Sequence, residues 1–178
     1  MKREIFTAGH SNRGAEELCA LLVEAGVTRV ADVRRYPVSR RYPQHGKDRL
    51  AAALAAAGIA YVFLGAALGG RLEPTQPREQ SRNAGFRDPA LRAYADALDS
   101  PELAAGLDDL EALASAHPTA VLCAERDWHD CHRQILADVL ATRGWTVTHL
   151  IRPGEREPHH LHPAARIEGK RLSYPSLL

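Results

Sequence analysis

Short apolar runs alternate along this chain with stretches in which apolar residues recur every three or four positions, the pattern of strands alternating with helices. "EIFTA" is strand-like, and in "GAEELCALLVEAG" Leu18, Leu21, Leu22 and Ala25 fall on one helical face that stops at Gly26. Gly14 opens that helix without a capping side chain, while Glu17 stands where a capping box puts its acidic partner. "TRVADV" reads as a second strand. Leu50, Leu54 and Ala57 share a face in "KDRLAAALAAAG", and "IAYVFL" follows the Gly58 stop as a third strand. Asp88-Pro89 and Ser100-Pro101 each pair a capping residue with proline at the first helical position. The helices they open carry Leu91, Tyr94 and Leu98, then Leu103, Leu107, Leu110 and Leu113. "TAVLCA" is the fourth strand, Ile135, Leu136, Val139 and Leu140 form the inner stripe of the next helix, and "TVTHLI" after Gly144 is the fifth strand. The order βαβαβααβαβ predicts an α/β fold, a mostly parallel sheet of about five strands with helices on both faces.

Two stretches leave that rhythm. Residues 65–87 are rich in glycine, proline and polar side chains, and a connection of that length is expected to act as a lid over a site. The tail, residues 152–178, contains "RIEGKRLSYP", a small hairpin turning at Glu168-Gly169. Neither has the apolar content of a separate domain, and 178 residues suit a single one. With three cysteines, no apolar leader and no eighteen-residue apolar run, the chain reads as cytoplasmic and reduced, with no membrane partner.

Charge adds a direction. Between residues 29 and 49, Arg29, Arg34, Arg35, Arg40, Arg41, Lys47 and Arg49 face only Asp32 and Asp48, whereas no lysine or arginine occurs from Ala93 to Glu125. A net charge of +1 argues against a protein that coats DNA indiscriminately, so the basic strip points to a localised anion site.

Ligands of open parallel sheets bind beyond the carboxyl ends of the strands. Polar residues cluster there after three of the predicted strands: "GHSNR" after the first, "DVRRYPVSRR" after the second and "CAERDWHDCHR" after the fourth. Together with "LGGR" and the tail "HLHPAARIEGKRLSYP", these segments stand in the order found in a bacterial family, and the chain resembles the domain-of-unknown-function 488 family over nearly its whole length. The resemblance implies an α/β domain of the predicted kind. Gly14 departs from the family pattern, where a serine cap is usual.

The chemistry rests on the residues. Glu125 and His10 are the acid–base candidates, a carboxylate and an imidazole after two strands that would be neighbours. His10 also fits a role holding the turn after Gly9. Cys131 has the surroundings of a nucleophile, a helix start and a neighbouring arginine. However, loops of the phosphatase and rhodanese kind carry arginine at the sixth position after the strand-end cysteine, and here that position after Cys123 is His129. Cys123 reads as a packing residue. Ser11, Asn12, Arg13, Arg34, Arg35, Arg71, His132 and Arg133 are expected to bind the ligand, the arginines as planar donor forks and the helix start after Cys131 as an anion seat. For Arg133 an ion pair with Glu125 or Asp32 is the competing role. No Cys-x-x-Cys or His-x-x-x-His pair occurs, so a structural zinc knot is not expected and no cofactor is certain; a divalent metal, if used, would sit on Asp32 and Glu125. Asp32 joins the catalytic candidates on that ground.

These residues favour an enzyme, a hydrolase or transferase acting on a phosphorylated, nucleotide or nucleic-acid substrate at the carboxyl edge of the sheet. The partner would then be an anionic small molecule or a nucleic acid. A non-catalytic module binding the same ligands, and a thiol-dependent redox or sulfur-transfer protein, remain open.

Overall fold

Ile5, Ala8, Val30, Ala31, Val121 and Leu122 are wholly buried, which is why the strands that hold them read as nearly unbroken apolar runs: both faces of the sheet are covered. In the computed structural model, which describes residues 3–176, β1 (Glu4–Gly9), β2 (Arg29–Asp32), β3 (Ala60–Phe63), β4 (Thr119–Cys123) and β5 (Thr146–Arg152) are all parallel. A sixth strand, β6 (Glu155–Pro158), turns back at Gly154 and pairs antiparallel with β5. The sheet order is β3-β2-β4-β1-β5-β6. The sequence pattern shows only five strands because "EREP" has no apolar periodicity. Its charges and proline suit an edge that pairs on one side.

Helices α1 (Ala15–Glu24) and α2 (Lys47–Ala56) cover one face through Leu18, Leu21, Leu22, Leu50 and Leu54. The other face carries α3 (Gly65–Leu68), α4 (Pro89–Asp96), α5 (Pro101–Ala116) and α6 (Arg133–Thr142), with Tyr94, Leu107, Leu110, Ile135 and Leu136 in one apolar cluster. Asp88 and Ser100 cap α4 and α5 as expected, accepting from the amides of Leu91 (2.9 Å) and Leu103 (3.2 Å). Gly14 caps α1 with no side chain, and Glu17 is drawn instead into an ion pair with Arg13 (2.6 Å). The tail hairpin is β7 (Arg166–Glu168) and β8 (Arg171–Ser173), turning at Gly169, whose φ of 63° suits glycine.

This connectivity creates the site. The chain leaves β1 through α1 toward β2 on one face, and leaves β4 through α6 toward β5 on the other, while β1 and β4 lie side by side. The two exits diverge, so a crevice opens between these strand ends.

Candidate active site at the carboxyl edge of the sheet

Three polar segments meet in the crevice because β2, β4 and β1 are consecutive in the sheet. The amides of His10 and Ser11 donate to the carbonyls of Cys123 (3.0 Å) and Ala124 (2.8 Å), carrying the pairing of β1 with β4 past the last register pair. A Cβ on Gly9 would lie 1.8 Å from the Glu125 carbonyl oxygen, so only glycine lets the strands run this close. Ser11 (φ 44°) and Arg71 (φ 59°) are the non-glycine residues with left-handed backbone among those described, and both line the resulting cavity.

Beneath the cavity lies a closed polar lock. Asp32 is fully buried; its carboxylate accepts from the Arg34 backbone amide (3.0 Å), from Arg34 Nε (2.9 and 3.1 Å) and Nη2 (2.6 Å), and from the Tyr61 hydroxyl (2.7 Å). Asp32, expected as a catalytic or metal-binding residue, has its lone pairs spent on Arg34 and Tyr61 and does not line the cavity. Arg34 Nη1 donates onward to the His45 carbonyl (2.8 Å) and meets His10 Nε2 at 3.2 Å. His10 Nδ1 faces the Ser11 carbonyl at 3.0 Å, so Nδ1 carries the proton and Nε2 accepts from Arg34. Burial, reinforced by the Arg34 and His45 charges, lowers the His10 pKa to about 4. Both His10 nitrogens are engaged, the arrangement that the turn-holding role calls for, and the ring still lines the cavity.

Arg13 also departs from expectation. It is buried below α1, donating to the carbonyls of Gly9 (3.1 Å) and Ile151 and to Glu17, and lies outside the cavity. Asn12 is exposed and accepts from Arg126 (2.9 Å). Arg133 is buried and bonds the backbone carbonyls of Glu125 (2.9 Å) and Arg126 (3.1 Å), not the Glu125 carboxylate. The helix start does not offer an anion seat through its first amides: Arg133 N donates to Cys131 Sγ (3.4 Å) and Gln134 N to the Cys131 carbonyl.

The roles of the two cysteines are exchanged. Cys123 lines the main cavity, whereas Cys131 lines only a smaller neighbouring pocket. Their sulfurs are 2.9 Å apart, with Cys131 donating, and Cys123 Sγ also lies 3.0 Å from Glu125 Oε2. His132 Nε2 faces the Val33 carbonyl at 3.2 Å, which places the proton there and turns the bare Nδ1 toward Cys131 Sγ (3.7 Å) and Cys123 Sγ (3.9 Å). The Cys131 hydrogen bond, aided by His132 and Arg133, holds Cys123 well below the ordinary thiol value against the opposing effect of burial. Burial, then the bond to Cys123, pushes Cys131 up. Burial and the adjacent Cys123 also raise the Glu125 carboxyl. Cys123 is thus the cysteine that faces the candidate site, and Cys131 is its hydrogen-bonding neighbour. The position of Cys123 at the last residue of β4, aimed at the strand-end crevice, is the signal that could have shown it.

The cavity has a volume of about 580 Å³. Arg34, Arg35, Arg41 and Arg71 line it, and Glu125 is its one carboxylate. Arg35 is held by the carbonyls of Gly69 (3.2 Å) and Gly70 (3.0 Å). A Cβ on Gly69 would meet Arg35, and one on Gly70 would lie 2.6 Å from His132 Nδ1, which accounts for the paired glycines of "LGGR". Arg41 extends over the Tyr42 ring at 5.5 Å, and Tyr36, 62% exposed, completes that wall. The sequence expectation sets Arg40 and Arg41 further out than Arg34 and Arg35, yet Arg41 lines the cavity; Tyr36 and Tyr42 carried no expectation, although "RRYPVSRRYP" repeats Arg-Arg-Tyr-Pro and interleaves charge with aromatic faces. Of residues 65–87, only Gly70 and Arg71 reach the cavity. Much of the remainder is pinned: Gln76, Ser81 and Asn83 bond Asp96, and Gly85 bonds Tyr174. No residue of the described tail lines the cavity, since Tyr174 and His159 bond Asp138 on α6.

A family model described as "Domain of unknown function DUF488" matches residues 14–140, about seven-tenths of the chain, and the chain belongs to that family. The match begins after the Gly9-His10-Ser11 turn and ends before the tail. Searches of curated proteins and of solved structures returned no match.

Proposed function

We propose that this DUF488 member is an enzyme acting on a phosphate-bearing nucleotide or nucleic-acid substrate at the carboxyl edge of its sheet. The observation that carries the reading is the polarity of one cavity: arginines and two tyrosines line it together with a thiol, two imidazoles and a single carboxylate. Among the described residues Arg71 makes no hydrogen bond or ion pair, and Arg41 makes none beyond lying over the Tyr42 ring, so both guanidiniums are available to a phosphate. Tyr36 and Tyr42 offer flat faces to a base. Glu125 lies beside Cys123 and shares a smaller neighbouring pocket with Arg71, so it is placed to take or deliver a proton at a substrate held by that arginine. A hydrolase or transferase fits this division of labour.

Thiol-dependent chemistry is the second reading. It is favoured by the 2.9 Å contact of the Cys123 and Cys131 sulfurs and assigns the leading role to Cys123. The two separate by substitution. Incubation with nucleoside phosphates and short single strands, with product analysis, should show turnover that Glu125→Gln abolishes in a folded protein. If turnover survives Glu125→Gln and is lost with Cys123→Ser, the thiol reading replaces the first. The salt dependence of binding identifies the substrate class, because a polyanion releases many counterions and a mononucleotide few.

A further inference from the structure

We propose that Cys123, Cys131 and His132 form a binding site for a thiophilic metal ion of the zinc class, with an open fourth position facing Glu125 and the cavity. The inference deepens the reading above by giving the cavity floor a reagent, and it rests on that reading only for the identity of the substrate.

The donor set is the first ground. Cys123 Sγ, Cys131 Sγ and His132 Nδ1 lie within 4.8 Å of one another, all three residues are buried, and no other such group occurs among the described residues. Two sulfurs and an imidazole nitrogen select a borderline or soft ion over magnesium or calcium, which prefer oxygen. The spacing Cys-x7-Cys-His matches no familiar zinc pattern, which is why sequence alone did not suggest it. The residues meet because β4 ends at Cys123 and the turn over residues 128–130 folds Cys131 and His132 back onto it.

The geometry is close to what such an ion needs. With zinc–sulfur bonds of about 2.3 Å and zinc–nitrogen bonds of about 2.0 to 2.1 Å, a tetrahedron has sulfur–nitrogen edges of about 3.6 Å and a sulfur–sulfur edge of about 3.8 Å. The two sulfur–nitrogen separations are 3.7 and 3.9 Å. Only the sulfur–sulfur contact, 2.9 Å, must open, by about 1 Å. That contact is a shared S–H···S bond. Loss of its proton on metal binding removes the attraction and leaves two thiolates that repel.

The surroundings point the same way. His132 donates Nε2–H to the Val33 carbonyl, the outer hydrogen bond that fixes a ligating imidazole with its other nitrogen bare. The Arg133 amide donates to Cys131 Sγ and would stabilise it as a thiolate. Gly70 packs against the His132 ring, and a Cβ there would come within 2.6 Å of Nδ1, so glycine is what leaves that nitrogen room for a ligand. Three protein ligands with a vacant fourth position is the pattern of a catalytic rather than a structural zinc site. Glu125, 3.0 Å from Cys123 Sγ and lining the cavity, borders that position.

The test uses the full chain, reduced and freed of metal, titrated with Zn²⁺ and Co²⁺. One ion should bind per chain, Co²⁺ should give the intense sulfur-to-metal charge-transfer absorption of tetrahedral thiolate sites, and Zn²⁺ should shield Cys123 and Cys131, but not Cys19, from alkylation. Cys131→Ser should weaken binding by more than the roughly 10- to 100-fold that loss of an outer partner costs, while Cys19→Ser leaves it unchanged. The alkylation pattern needs no variant, so the proposal stays testable if Cys131→Ser fails to fold. Absent stoichiometric binding, a cobalt spectrum without thiolate charge transfer, or alkylation of Cys123 and Cys131 no slower with Zn²⁺ than without it overturns it. Nucleotide binding, measured separately on the metal-free protein and its Arg71→Ala variant, distinguishes the failures. Nucleotide binding without metal removes the metal site alone, and metal binding without nucleotide removes the substrate reading alone.

Discussion

Two polar clusters flank the centre of the sheet, and they differ in whether their hydrogen bonds close. On one side, Thr7 faces His149 Nδ1 at 2.6 Å, His149 Nε2 faces His159 Nδ1 at 3.0 Å, and His159 Nε2 faces Asp138 Oδ1 at 2.8 Å. Asp138 also accepts from the Tyr174 hydroxyl (2.7 Å) and the His162 amide (3.1 Å). One assignment satisfies the whole chain: each histidine is neutral, donates from Nε2 and accepts at Nδ1, and the charge rests on Asp138. Trp128 stacks on His149 with ring centroids 4.0 Å apart, and none of these groups faces the main cavity. In the other cluster Cys123, Glu125, His132 and Arg71 face that cavity. The residue types overlap, yet the first is scaffold and the second is the candidate site. What separates them is unspent hydrogen-bonding and ligating capacity turned toward open space.

The largest effect that could break this contrast is on stability. Asp138→Ala leaves His159, Tyr174 and the His162 amide without their buried acceptor and should cost about 3 to 5 kcal/mol in urea unfolding, the scale for breaking a buried pair. Affinity per folded molecule for a nucleotide should be unchanged. Arg71→Ala should do the reverse, weakening binding of a nucleoside monophosphate by about 1.5 to 3 kcal/mol, as for a charge-assisted bond, with stability within about 0.5 kcal/mol of the parent. Equal stability loss in both variants would erase the distinction.

Acid sharpens the contrast further. Burial, aided by the nearby Arg133 guanidinium, lowers the His149 pKa from the ordinary 6.5 to about 2. Below pH 6.5 the unfolded chain therefore takes up a proton that the folded chain refuses. Stability present above pH 6.5 is lost as pH falls through the window down to about 2, with His149 contributing up to about 1.4 kcal/mol per pH unit. Replacing His149 with glutamine should flatten the unfolding free energy measured between pH 6.5 and 4.5 by up to that slope, and an unchanged slope would remove His149 from the account. The smallest effect concerns Tyr36. Tyr36→Ala should weaken a short single strand by about 1 to 3 kcal/mol if a base stacks there, and leave inorganic phosphate unaffected.

Much of this was legible in the sequence, for reasons that can be located. The parallel sheet follows from unbroken apolar runs alternating with helical stripes, and Asp88-Pro89 and Ser100-Pro101 mark helix starts because capping is a local interaction. The adjacency behind the candidate site was legible too, since polar segments follow the three strands that prove to be consecutive and line one cavity there. What escaped depends on partners distant along the chain. Arg13 and Arg34 carry the same side chain as Arg71, but Ile151, 138 positions away, takes part of one and buried Asp32 takes most of the other. Cys123 and Cys131 exchange roles because strand direction aims one at the crevice while the turn after it tucks the other behind. The sixth strand is a polar edge, which hydrophobic periodicity cannot register.

The central claim, that the cavity on the carboxyl edge receives a phosphate-bearing nucleotide or nucleic acid, is tested most directly by amide hydrogen exchange with and without a short single strand or nucleoside phosphate at saturation. The account predicts slowed exchange in residues 34–42, at Gly70 and Arg71, and from Cys123 to Glu125. Protection confined to the groove where Leu107 and Val139 face the β7–β8 hairpin, with those segments unchanged, would contradict it.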